Sequence, residues 1–468
     1  LAAAIVGGLF AANAQAQVVI SPAASATDPV TFASELIVPS GAAGLTLTNA
    51  GGVLDLRTNL RYSCSEGEVR FARSECPTNI RFAAGSGVAL VSGGVGTVFG
   101  AINGLGTNVI TFSITAAAGN PSPTNAATVI GITGDRSITS TAAGACSYSL
   151  YDEPSQAAAG TTTGRITTAS GNYIVFASSY TLTATGTTGD VANVEASPSF
   201  SRFVGTTAID RDTAGLGLVS FALRTTPVTP LLANGTAATL ATLLAAGSNH
   251  TIAGDFANAA NADGTFTGAA LNRVYFSATP DCSAVTVPAT AVTATSARFT
   301  TGATAVNATL CYAPRTGVAI PVSTYAQTFN AVSAAPTTYA VGNLGPVSLG
   351  SITRNGTSLQ APFVQVPAGW LSRIVLTNTG SVARPYTVTA QTETGVTSTL
   401  GAGASGTIPA NGTIVLNTSD IATFTGATRG TLNVTVAGPN NDIQGLYQIV
   451  NGATGSIANT AMVRPGTN

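Results

Sequence analysis

Short runs of β-branched and aromatic residues, many alternating with polar ones and closed by Gly, Asn or Pro, recur along most of this chain. The clearest lie toward the C-terminus. Residues 371–376 form a mostly apolar run that stops at Asn378-Thr379-Gly380. Residues 386–390 follow Pro385, residues 413–416 follow Asn411-Gly412, and residues 443–450 run to Asn451-Gly452. In 431–436 the alternation is strict, with Leu432, Val434 and Val436 on one face. Strand side chains alternate with period two, so such a run buries one face and leaves the other to solvent. Residues 109–114, 127–132, 173–177, 180–184 and 218–223 read the same way. One helix is predicted over 237–246, with Thr236 as its cap and Gly247 as its stop. The low-complexity stretch 157–163 and the segment 332–338 are expected to be linkers or long loops.

The predicted fold is all-β: several antiparallel β-sandwiches of the immunoglobulin-like kind in one multi-domain chain. The expected divisions are an N-terminal domain 17–155, a middle domain 156–345 and a C-terminal sandwich 346–468, with 17–345 as one elaborated sheet assembly the alternative. No repeat of fixed period is visible, which weighs against solenoids and propellers. Residues 1–16 begin with an apolar stretch and end in Ala14-Gln15-Ala16, the form of a signal peptide and its cleavage site. No later segment offers 18 uninterrupted apolar residues, so no transmembrane helix is expected in the mature chain.

Charge changes the picture most. Lysine is absent: all 18 cationic side chains are arginine, against 19 carboxylates and one histidine, for a net charge of −1. Charged residues are 8% of the chain, against about 25% in an ordinary soluble domain. Hydrophobic residues make up 45%, ample for burial, so low charge does not imply disorder. Without lysine there is no Schiff base, no phosphate-loop lysine, no lysine general base and no Lys–Asn crosslink. Nucleic acid is excluded as a partner because no basic stripe exists. Near-zero net charge favours self-association.

Little catalytic chemistry remains. A Ser-His-Asp triad would have to use His250, and no Gly-x-Ser-x-Gly elbow accompanies it, so a surface or loop histidine is expected. Asp212-Thr213-Ala214-Gly215 resembles half of an aspartic-protease turn, but no second copy supplies the paired carboxylate. No enzyme is expected. Calcium suits an exported chain with aspartate-bearing loops, and the candidate ligands are Asp210 and Asp212, with Asp255 and Asp263 in a second loop. From spacing, Cys64 is expected to pair with Cys76 and Cys282 with Cys311, leaving Cys146 unpaired, buried and inert in the preferred reading or linking subunits in the alternative. Trp370 is expected in a core.

The one dense charge cluster lies between Asp55 and Arg81 and holds Arg57, Arg61, Arg70, Arg73 and Arg81 among Asp55, Glu66, Glu68 and Glu75. Arginine's planar fork matches carboxylate and phosphate, so a neighbouring subunit, lipopolysaccharide or another envelope glycan is a candidate partner. An internally salt-bridged loop is the alternative.

Together the leader, the Ala/Thr/Gly/Val composition, the sparse charge and the serial strands resemble bacterial surface-layer and related cell-surface array proteins. That resemblance implies a secreted structural protein that self-assembles, as a homo-oligomer, into a layer or filament on the bacterial cell surface. Unpaired N–H and C=O groups on edge strands offer one route to such contacts, with residues 18–38 either a donor to a neighbour or the first strand of their own domain. The alternative function is a secreted adhesin or carbohydrate-binding surface protein, with its ligand on the C-terminal sandwich or near Trp370.

Overall fold

Ile110, Phe112 and Ile114 are buried while Val109, Thr111, Ser113 and Thr115 are half-exposed, so the alternation of residues 109–115 is realised as one strand. A computed structural model describes residues 18–20, 29–41, 43–59, 68–92, 97–115, 129–186, 190–205 and 210–465. The expected leader, 1–16, lies outside the described residues.

Strand Val109–Thr115 belongs to a six-stranded sheet ordered Val30–Ala33, Arg165–Ala177, Gly144–Tyr151, Val69–Glu75, Val109–Thr115, Val98–Phe99. A four-stranded sheet (Val18–Ile20, Leu56–Asn59, Val129–Thr133, Gly87–Ser92) and a three-stranded one (Leu45–Leu47, Arg136–Ile138, Ile80–Phe82) share its core. Leu56, Phe82, Ile130 and Ile138 are buried there with Phe32 and Ile174. Each such side chain contributes about 1.5–3 kcal/mol by leaving water.

A second core lies between two further sheets. One runs Tyr180–Gly186, Ala214–Leu223, Val306–Tyr312, Val274–Ser277, Val287–Pro288; the other runs Asp190–Ala192, Leu344–Arg354, Ser323–Asn330, Asn249–Ala253, Ser296–Thr300, Ala291–Val292. The two cores are continuous in places. Tyr180, Phe221 and Phe329 come from strands of the second pair of sheets yet pack with the first core, and the Phe221 and Phe329 rings stack with centroids 4.1 Å apart.

The third core is a sandwich. Thr357–Gln365, Arg429–Val436, Arg384–Gln391 and Ser405–Ile408 make one sheet; Gly412–Asn417, Trp370–Asn378, Ile443–Asn451 and Ile457–Ala461 make the other. Leu432, Val434 and Val436 are fully buried, as their alternation predicts, against Ile374, Leu376 and Ile443. Val463 exchanges both backbone hydrogen bonds with Gln360 (2.7 and 2.9 Å), so the chain after Ala461 bridges the two sheets along one side.

Several expectations are corrected. The division at 155/156 falls within a sheet, because Gly144–Tyr151 pairs with Arg165–Ala177 across it. That at 345/346 falls inside the strand Leu344–Arg354, which belongs to the second core. The stretch expected to be a linker begins in the helix Pro154–Ala159, which ends at left-handed Gly160 (φ 67°). The predicted helix 237–246 shortens to Leu240–Leu243 and is capped by Thr239 rather than Thr236. Ala237 and Ala238 are instead drawn into pairing with the chain near Leu231, where the Ala238 N–H donates to Pro230 O (2.8 Å). Three strand pairings among the described residues are parallel: Val18–Ile20 with Leu56–Asn59, Val30–Ala33 with Arg165–Ala177, and Asp190–Ala192 with Leu344–Arg354. Parallel partners need long connections, and that is how these strands are reached. The two strands within 18–38 are therefore both paired inside their own chain. Among the described residues no helix is long and apolar enough to cross a membrane.

Candidate functional site

Antiparallel neighbours decide what the expected arginine cluster does. Arg70, on Val69–Glu75, is buried and forms ion pairs with Glu68 and, at 3.4 Å, with Asp152. Arg73 pairs with Glu75 (2.9 Å) and donates to the carbonyls of Ala157 (3.2 Å) and Ala158 (2.8 Å). Those carbonyls close the helix Pro154–Ala159, so the guanidinium meets the negative end of the helix. Arg57 is half-buried on Leu56–Asn59, and Arg81 stands on Ile80–Phe82 opposite Ser137. Arg61 lies outside the described residues. Arg70 and Arg73 thus bind their own chain.

The disulfides divide the same way. Cys282 is bonded to Cys311, as spacing predicts. Cys76, however, is bonded to Cys146, 70 residues away, and not to Cys64, which lies outside the described residues. Cys146 is buried, but as the partner of Cys76 and not as the unpaired cysteine expected.

The aspartates expected to hold calcium have partners within the chain. Asp210 accepts from Asn193 Nδ2 (2.8 Å), and Asp212 accepts from Arg202 Nε (2.7 Å) and Nη2 (3.0 Å). That guanidinium lowers the Asp212 pKa. Asp255 accepts from the Ala257 N–H (2.9 Å), and Asp263 from the N–H (2.9 Å) and hydroxyl (2.7 Å) of Thr265, which lower its pKa. Among the described residues no three His, Cys, Asp or Glu side chains gather into a group able to hold a metal ion.

His250 is not on a loop. It is fully buried on Asn249–Ala253, ringed by Phe221, Phe276 and Phe329, with Nδ1 2.7 Å from Gln327 Nε2. Burial pushes its pKa down to about 4. Among the described residues no carboxylate orients it and no hydroxyl is bonded to it, so this is a neutral core histidine. Trp370, expected in a core, is instead 39% exposed at the start of its strand.

Among the described residues, four buried charges gave no clear sign in the sequence, Arg136, Glu35, Asp190 and Arg384, and the first two lie deepest. Arg136 is fully buried, with its Nη atoms donating to the carbonyls of Gly134 (2.6 Å), Asp135 (3.0 Å), Ile132 (2.9 Å) and Leu54 (3.1 Å). Its guanidinium lies over the Phe82 ring, 4.9 Å from the centroid. Glu35 is buried and accepts from the N–H (2.9 Å) and hydroxyl (2.8 Å) of Ser179. The turn Gly134-Asp135-Arg136 gave a weak signal for the first; nothing local marks Glu35, whose partner is 144 residues away. Both groups organise backbone and neither faces a cleft.

What remains is surface, and the C-terminal sandwich presents two unlike outer faces. On the sheet containing Arg429–Val436, outward positions pair across strands as Ser358–Thr435–Thr387–Ser405 and Gln360–Asn433–Thr389. These are hydroxyls and amides, and Gln360 Nε2 donates to Asn433 Oδ1 (2.8 Å). On the sheet containing Trp370–Asn378, outward positions form two apolar rows, Val415–Val375–Leu446–Ala461 and Leu371–Val450–Ile457. Between them runs Asn417–Arg373–Gln448–Asn459, in which Arg373 Nε donates to Gln448 Oε1 and Gln448 Nε2 donates to Asn459 Oδ1 (2.7 Å). A row Thr413–Thr377–Gln444 follows, with the two threonine hydroxyls 3.0 Å apart. Leu371, Val415 and Ile457 are 44%, 54% and 58% exposed. Arg373 is the one charged side chain in these rows. A recess of about 510 Å³ opens beside them, lined by Val375, Thr377, Leu446, Ala461 and Met462 and by Arg464, which donates to the Asn440 and Ile443 carbonyls.

Residues 13–453, nearly the whole chain, match the family described as S-layer protein Slr4. The chain belongs to this S-layer family. An S-layer protein is a structural protein of the cell surface, and the arrangement above fits one: hydrogen-bonded internal charges, disulfide-linked strands and sparsely charged sheet faces. No curated protein matches the chain. Among solved structures, this S-layer protein is similar to the pilus backbone RrgB of Streptococcus pneumoniae (10% identity, 93% of this chain and 88% of that one, TM-score 0.17). It is also similar to InvD of Yersinia pseudotuberculosis (9% identity, 97% and 98%, TM-score 0.16). At such TM-scores these two likenesses carry no conclusion.

Proposed function

We propose that the chain is the repeating subunit of an extracellular array, assembling with copies of itself through sparsely charged sheet surfaces. The observation that carries this reading is exposed aliphatic surface on a nearly neutral molecule. Leu371, Val415 and Ile457 project into solvent within the contiguous apolar rows of the C-terminal sandwich, and net charge is −1. Such patches mark interaction sites, and weak net charge leaves little repulsion between copies. Export by the leader belongs to the same reading.

Envelope attachment through lipopolysaccharide phosphates would have to use arginines other than Arg70 and Arg73, whose charge is matched within the chain. Electron microscopy of the purified chain, with and without calcium, tests the proposal. Ordered sheets or filaments are expected; dispersed monomers in both conditions at high concentration would sink it. Order appearing only with calcium would return the metal to the aspartate loops.

The adhesin reading has its own location. A recess of about 240 Å³ is lined by Phe363, Tyr447 and Ile449, and Phe363 is half-exposed. Glycan-array binding by dispersed monomers, lost in Phe363→Ala, would favour it.

A further inference from the structure

We infer that the outer face of the Trp370–Asn378 sheet is a contact between two copies of this chain, packed face to face through the same rows. This rests on the array reading and goes further by naming the surface. The sandwich provides its own comparison. Both outer faces derive from strands of the same module, yet hydroxyls and amides line one while Val415, Val375, Leu446, Leu371, Val450 and Ile457 line the other. Solvation alone would favour polar residues at both.

The chemistry of the rows points to the occupant. They contain no aromatic ring, so they lack the flat amphipathic platform that suits a sugar. They carry one cation, Arg373, already bonded to Gln448, so they also lack the basic face that holds a helix or sheet on an anionic membrane. A protein face of like composition remains. Each copy brings one cation, Arg373, hydrogen-bonded to the neutral Gln448 amide and with no carboxylate in these rows, so the contact rests on the apolar rows on either side of it. Projecting Val415, Leu371 and Ile457 beside a recess of about 510 Å³ give one surface both knobs and a hole, as self-packing requires. Sheets stacked in this way lie about 10 Å apart with strands within about 30° of one another.

The size of the face sets the strength. Four strands of up to nine residues, at about 4.8 Å between strands and about 3.3 Å per residue, span roughly 500 Å². A stable free-standing complex needs about 800 Å² per partner. One such contact is therefore weak alone and becomes effective when a lattice presents many at once.

The test compares Val415→Arg and Leu371→Glu on this face with Thr389→Arg on the opposite one, all in the full chain. Thermal melts by circular dichroism establish that each variant folds; electron microscopy over a concentration series reads assembly. The expected result is that both apolar-face variants raise the concentration at which arrays first appear at least tenfold, while Thr389→Arg leaves it unchanged. Folded Val415→Arg and Leu371→Glu chains that assemble like wild type would overturn the inference and leave the array reading standing. Equal loss in Thr389→Arg would also overturn it, because the effect would then be general charge repulsion. Wild type that never assembles would instead overturn the array reading beneath it.

Discussion

Cys146 is bonded to Cys76 across two antiparallel strands, and the register that pairs Ser147 with Glu75 brings the two sulfurs together. The bond closes a sequence separation of 70 residues. Peptide mapping under non-reducing conditions should recover Cys76 linked to Cys146 and Cys282 linked to Cys311. Cys146→Ser should lower stability by about 2–4 kcal/mol, since the bridge restricts the unfolded chain. Recovery of a Cys64–Cys76 peptide would contradict the structure.

Among the described residues Arg136 has no carboxylate partner; five backbone carbonyls and the rings of Phe82 and Tyr173 surround its guanidinium. Arg136→Ala removes these donors at once and leaves buried carbonyls short of partners. Urea unfolding should show a loss of about 3–5 kcal/mol. Arg136→Lys should recover only part of it, because an ammonium cannot reproduce the planar fork. A loss below about 1 kcal/mol would mean that water reaches these carbonyls.

His250 makes stability depend on acid. Its folded pKa of about 4 lies below the ordinary 6.5, so the unfolded chain binds the proton more readily. Its contribution is fully present above about pH 6.5 and is lost as pH falls toward 4. Over that window a shift of this size corresponds to roughly 3 kcal/mol. Carboxylates titrate nearby, so the measurement is a difference: thermal melts of His250→Phe against wild type from pH 7 to pH 4. The wild type should lose more stability across the window; parallel curves would show that the imidazole is hydrated.

Asp212 and Arg202 form an exposed bidentate pair, and solvent screens it. Asp212→Asn should change stability by less than about 1 kcal/mol. Because Asp210, Asp212, Asp255 and Asp263 are each occupied by donors from the chain, a chelator should leave the melting temperature of the dispersed protein unchanged. A fall on chelation would place a metal on these loops.

Period-two alternation was legible wherever a strand has one wet face, as at Leu432, Val434 and Val436 or Ile110, Phe112 and Ile114. It was silent about short paired segments such as Val287–Pro288 and about which long-range neighbour a strand would choose. The helix 237–246 failed over most of its predicted length because pairing near Leu231 overrode a weak local preference. His250 was misjudged because its polar neighbours Ser248 and Asn249 suggested a loop, whereas both are themselves buried and hydrogen-bonded.

Composition and local pattern by themselves determined the β class, the scarcity of charge, the exclusion of lysine chemistry and the Cys282–Cys311 bridge, because each depends on residue types or on neighbours close along the chain. Tertiary structure alone decided the Cys76–Cys146 bond, the binding of Arg70 and Arg73 to their own chain, the burial of Arg136 and His250, and the contrast between the two faces of the C-terminal sandwich. Those features depend on strand register and order. Register brings together residues tens to more than a hundred positions apart, and no local spacing encodes that choice.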